Sequence, residues 1–118
     1  MKTPTETLDD LDVFANRADD ATRKGTQAFA RLLQLAETRD SGQIARIARF
    51  IAATYNGQTF PMDPFELRAV DIAISDDMLC CLDALRWGRA DLYTLVPDGD
   101  ARVRGVIDRW GLRWPSDA

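Results

Sequence analysis

The chain has 118 residues, 19 carboxylates against 15 basic side chains for a net charge of −4, two cysteines and no histidine. That length accommodates one compact unit and a short tail. Without histidine there is no imidazole general base, no His zinc ligand and no Ser–His or Cys–His nucleophile pair, which excludes most hydrolase chemistry.

The only cysteines, Cys80 and Cys81, are adjacent, so they offer neither CxxC redox spacing nor a loop-closing disulfide. No basic-then-apolar leader opens the sequence and no apolar run is long enough to span a bilayer. A soluble, cytoplasmic protein without membrane association is expected.

Residues 1–20 carry Glu6, Asp9, Asp10, Asp12, Asp19 and Asp20 against Lys2 and Arg17, and so account for the whole net charge of −4. They are read as a mobile acidic N-terminal arm with one short helix, since Leu8, Leu11, Ala15 and Ala18 recur at helical spacing. Residues 21–115 are read as the folded domain. Its first helix is expected over Asp20 to Arg39, with Phe29, Leu32, Leu33 and Ala36 as one apolar stripe.

The second helix opens at Asp40-Ser41-Gly42-Gln43, where Asp40 caps and Gln43 completes a capping box. Ile44, Ile47, Ala48, Ile51 and Tyr55 form its buried face, and Asn56-Gly57 supplies a left-handed stop. A third helix starts at Asp63, with Pro64 in the first helical position and Glu66 closing the box. Its core face, Leu67, Val70, Ile74, Met78, Cys81 and Leu85, predicts one long helix ending at Gly88, with Ser75-Asp76-Asp77 as the place for a kink.

Leu92 to Val96 favours extended structure but has no strand to pair with, so a packed loop is expected before the turn Pro97-Asp98-Gly99. A last helix begins near Asp100 and carries Val103, Val106, Ile107 and Trp110, with Gly111 as stop and Leu112 in contact behind it. The fold class is therefore all-α: a small single-domain bundle of about four helices with an acidic N-terminal arm.

No constellation points to catalysis or a cofactor. Asp71 and Asp77 lie about 240° apart on a helix and do not converge. Asp9, Asp10 and Asp12 lack the glycine and terminal glutamate of a calcium loop. Gly42 stands near a helix start, but no phosphate-binding glycine motif surrounds it and Asp40 repels anions. Neither metal, cofactor nor catalytic residue is assigned.

Arginines cluster at Arg39, Arg46 and Arg49 and again at Arg102, Arg104, Arg109 and Arg113. Interleaved carboxylates and a pI near 4.7 oppose general phosphate attraction. The aromatics Tyr55, Phe60, Phe65, Trp87, Trp110 and Trp114 fall at helix ends and connectors, where they seal a bundle. Trp114, beyond the last stop, is the one expected to stand exposed.

The order and spacing of Asp40-Ser41-Gly42-Gln43, Arg46-Ile47-Ala48-Arg49-Phe50, Tyr55-Asn56-Gly57, Phe60, Asp63, Leu67-Arg68, Asp71 and Asp76-Asp77 resembles a family of short uncharacterised proteins. Its members are carried on proteobacterial plasmids, prophages and integrative elements. The likeness covers residues 28–115 and departs from the pattern around Leu92 to Arg104; the acidic arm is additional. It implies a place in mobile DNA and no defined activity.

The expected function is that of a non-enzymatic mobile-element accessory protein acting by protein–protein binding, as an inhibitor or modulator of a host defence complex in the manner of anti-CRISPR proteins. The candidate partner contacts, to a host or element-encoded protein, are Asp9, Asp10, Asp12, Arg46, Arg49 and Trp114. The alternative is a small nucleic-acid-associated accessory factor that uses its surface arginines.

Overall fold

The computed structural model describes residues 4–113, with side chains from residue 10 onward. Four helices follow one another: α1 (Pro4–Thr38), α2 (Gly42–Tyr55), α3 (Ile72–Trp87) and α4 (Gly99–Arg109). Two 3-10 turns, Pro64–Arg68 and Leu92–Leu95, lie in the connections. Among the described residues there is no strand, and no helix is long and apolar enough to cross a membrane.

The first helix does not begin at Asp20 as expected: α1 runs unbroken for 35 residues, from Pro4 to Thr38. Pro4 begins it, a residue favourable at a helix start. Residues 4–20 alone would make a marginal helix, but here they extend one whose later turns are packed in the core. Along its face Leu11, Phe14, Ala18, Ala21, Gly25, Ala28 and Leu32 alternate steps of three and four, the spacing of a coiled-coil seam.

From Ala18 onward that seam is buried, and α3 runs antiparallel along it. Arg31 makes a two-pronged contact with Asp77 (2.8 and 3.1 Å), while Arg89 reaches back to Asp19 (2.8 Å). Gly25 lets the two helices come close, since a Cβ there would run into Ala84 and the Cys80 carbonyl. The core then fills from the C-terminal half of α1. Phe29, Leu32 and Leu33 meet Ile47, Phe50 and Ile51 of α2, Met78 and Cys81 of α3, and Val103, Val106 and Ile107 of α4. Burial pushes the Cys81 thiol up to about 12, so it remains a neutral core group.

The start of α2 also differs from expectation. Its cap is Ser41 rather than Asp40, and neither makes a side-chain capping bond there. Asp40 instead accepts from Arg109 at 2.6 Å. Gln43 does not close a box; its amide donates to the Asp71 carboxylate (3.2 Å) and its carbonyl accepts the Asp71 N–H. That exchange explains why the predicted third helix is broken. The Asp71 N–H is spent on Gln43 instead of the carbonyl one turn back, so α3 starts afresh at Ile72 and the preceding residues form a 3-10 turn. Asp63 caps that turn by accepting from the Phe65 N–H at 2.9 Å, and α3 passes through Ser75-Asp76-Asp77 without interruption.

At the end of α2, Asn56 is extended rather than left-handed. Its side chain accepts the Thr59 N–H (3.1 Å) and its carbonyl accepts the Phe60 N–H (2.9 Å). Leu92 and Val96 of the next connection are buried as a packed segment, and the backbone of Tyr93 presses on Gly99 so closely that only glycine fits. Helix α4 ends as expected: Gly111 is left-handed (φ 65°), and the Leu112 N–H reaches the Ile107 carbonyl at 3.0 Å.

Candidate protein-binding surface

The residues proposed from sequence do not gather at one place. Asp10 and Asp12 lie on the N-terminal half of α1, half-buried and exposed respectively. The side chain of Asp9 and the whole of Trp114 lie outside the described residues. Arg46 and Arg49 are one turn apart on α2 and converge inward on Glu66 of the first 3-10 turn. Arg49 donates twice to Glu66 Oε1 (2.9 and 2.7 Å) and Arg46 once, at 3.4 Å. Both are thereby held within the fold. Other arginines are similarly engaged: Arg102 pairs with Glu37 (2.7 Å), Arg104 with Asp100 (3.2 Å) and Arg109 with Asp40.

The carboxylates weighed for chemistry have structural duties as well. Asp71 holds Gln43 and Asp77 holds Arg31. Among the described residues no group of three or more Cys, Asp or Glu is placed to hold a metal ion.

What sequence reading missed is apolar. Leu11, Val13 and Phe14 of α1 are 60, 56 and 52% exposed, a high value for large hydrophobic side chains brought together on one helix segment. Their exposure follows from a mismatch of lengths. The 35 residues of α1, at about 1.5 Å each, account for most of the molecule's 56 Å long axis, whereas the 16 residues of α3 cover less than half of it.

The C-terminal end of α3 makes the last contacts. Trp87 meets Phe14 with ring centroids 6.4 Å apart. The Arg17 guanidinium lies 5.3 Å from the Trp87 ring and 5.8 Å from Phe14. Among the described residues, Leu11 at the start of the seam is 60% exposed. The sequence signal was the unbroken alternation of threes and fours through Gly25, disguised because its middle members are alanine and glycine.

A second exposed set lies on α3 and the turn before it, where Ile72, Leu79, Leu85 and Phe65 are 76, 52, 46 and 68% exposed. Leu85, expected in the core, faces a shallow hollow near Thr54 and Leu92 instead.

Residues 26–111 match a family of unknown function, DUF7673, and the chain belongs to that family. No curated protein and no solved structure matches the chain. The matched segment starts in the middle of α1, so the projecting half of that helix lies outside it.

Proposed function

We propose that the chain is a non-enzymatic, protein-binding accessory factor whose docking element is the projecting half of α1. The observation that supports this reading is the seam of Leu11 and Phe14, exposed beyond the end of α3 and flanked by Asp12. A partner that laid a helix or groove along it would continue the packing that α3 provides for Ala18 to Leu32. Recognition of this kind uses apolar anchors one turn apart for affinity and flanking charge for orientation. With Asp12 exposed between the anchors, the complementary surface is an apolar groove with a basic rim.

In the resemblance to proteins of bacterial mobile elements, this surface is one through which the chain engages and inhibits or modulates a host defence complex. The arginine clusters support a nucleic-acid role less well, since Arg46, Arg49, Arg102, Arg104 and Arg109 are already matched with carboxylates.

The test is quantitative capture from native cell extract with the full chain, the double variant Leu11→Lys/Phe14→Lys and the triple variant Asp9→Asn/Asp10→Asn/Asp12→Asn. A partner retained by the parent chain is expected to bind at least about tenfold more weakly to both variants, the loss of a buried apolar anchor or of steering charge. Equal retention by all three proteins would remove α1 as the docking element.

A further inference from the structure

Two dipeptides, Asn56-Gly57 and Asp98-Gly99, place an Asn or Asp side chain directly before glycine. In that order the glycine nitrogen can close a five-membered ring on the side-chain Cγ, because no Cβ obstructs its approach. The fold treats the two differently. Gly99 is buried, its N–H donates to the Val96 carbonyl at 3.2 Å, and the Tyr93 backbone presses against it. Its nitrogen is neither free nor accessible.

Asn56-Gly57 lies just past the last turn of α2, and Asn56, Gly57 and Gln58 are all exposed. Among the described residues the Gly57 N–H donates no hydrogen bond. The Asn56 side chain engages only through Oδ1, which accepts the Thr59 N–H at 3.1 Å and leaves Nδ2 unspent. The attacking and leaving nitrogens are thus both unpaired, while the bond from Thr59 polarises the carbonyl between them. Asn56 has already left the helix (φ −153°, ψ 89°), so turning toward the attack geometry leaves the ladder of α2 intact. The other asparagine, Asn16, is also exposed, but the residue after it continues α1 and its N–H belongs to the helical ladder.

We propose that Asn56 is a site of spontaneous modification in the folded chain: deamidation through a succinimide formed with Gly57. The Gly57 nitrogen gives its proton to solvent and bonds to Asn56 Cγ. The Cγ–Nδ2 bond breaks, and ammonia leaves after taking a proton from solvent. Water then opens the ring. Hydrolysis at Cγ yields aspartate; hydrolysis at the Asn56 backbone carbonyl yields isoaspartate, whose main chain runs through Cγ. Either product adds one negative charge just past the C-terminal end of α2, where the helix dipole disfavours it. Isoaspartate also lengthens the connection from α2 to Phe60 and Asp63 by one carbon.

The experiment incubates the full chain in mildly alkaline buffer, folded and in urea. Asn56, Asn16 and Asp98 are followed by peptide mass spectrometry and by enzymatic methylation of isoaspartate. In the folded chain Asn56 is expected to convert to both products, slower than in urea by less than about tenfold, since no costly opening must precede attack. Asn16 should stay intact, and Asp98 should form isoaspartate only in urea. Gly57→Ala should slow conversion at Asn56 by about tenfold, both folded and in urea, where its effect on folding has no bearing.

Protection of Asn56 by tenfold or more on folding would overturn the proposal, because attack would then require an opened state. So would equal loss at Asn16, conversion of Asn56 without isoaspartate, or an unchanged rate in Gly57→Ala.

Discussion

A methyl group at residue 25 would stand 2.3 Å from the Ala84 Cβ and 3.0 Å from the Cys80 carbonyl oxygen. Both are nearer than atoms can approach without displacement, and the backbone carbonyl cannot swing aside. Gly105, in the middle of α4, would place the same methyl in open space. One substitution therefore has opposite signs at two helical sites. Gly105→Ala should stabilise the fold by about 0.5–1 kcal/mol through helix propensity. Gly25→Ala should destabilise it by about 1–3 kcal/mol, because overpacking between α1 and α3 exceeds that gain. Urea unfolding midpoints of the two variants measure the difference, and a stabilising Gly25→Ala would contradict the close contact of these helices. Glu66 shows a different economy at the same scale. Its Oε1 accepts from Arg46 and Arg49, while Oε2 is buried with no hydrogen-bond partner. One carboxylate is thus used to tie the 3-10 turn to α2 rather than to complete a helix cap.

The helices differ in how openly their residues announced them. Helices α2 and α4 were legible because Ile44, Ile47 and Ile51, and Val103, Val106 and Ile107, repeat at the helical period and point to one core. The left-handed glycines Gly88 and Gly111 mark real ends. The break before α3 was not legible, because the strong start signal Asp63-Pro64-Glu66 is spent on a 3-10 turn and the true start is set by Gln43, 28 residues away from Asp71. The projecting half of α1 was hidden because Ala18, Ala21 and Gly25 form an apolar stripe only when another helix is close enough to use their small size. Of the candidate contacts, Asp10 and Asp12 lie on the surface now proposed, whereas the role of Arg46 and Arg49 depended on Glu66 in another element.

The last turn of α1 is finished by α4. The indole N–H of Trp110 donates to the Ala36 carbonyl at 2.8 Å, and Arg109 donates to the carbonyls of Ala36 and Arg39, each at 3.0 Å. These are carbonyls that a helix end cannot satisfy by itself. Trp110→Phe keeps most of the ring packing and removes only the N–H, so it should cost about 1 kcal/mol. A denaturant midpoint equal to the parent's would show that water replaces the indole at no loss.

At the scale of the molecule, stability is concentrated at one end. Among the described residues, every one of the largest fully buried side chains, Phe29 and Phe50 first among them, lies in the stretch from Phe29 to Ile107, while Leu11, Val13 and Phe14 of α1 stay more than half exposed. Backbone amides of residues 10–14 should therefore exchange with solvent by local opening. Those of Leu32, Leu33, Ile47 and Ile51 should exchange only on global unfolding. Hydrogen exchange resolved by residue tests this, and uniform protection along α1 would mean that its projecting half is covered in solution.

The junction of Trp110 and Arg109 with the end of α1 joins residues that are 70 to 74 positions apart in the chain. Contacts of such separation form late, after loop closure over most of the domain. During synthesis, which releases the N-terminal helix first, α1 can coil and even meet α2, yet its final carbonyls stay in water until α4 leaves the ribosome. A nascent chain halted between Gly88 and Gly99 would carry the whole of α1 on a body whose core lacks Val103, Val106 and Ile107. The apolar seam of α1 is thus presented to other proteins before the fold that anchors it is complete.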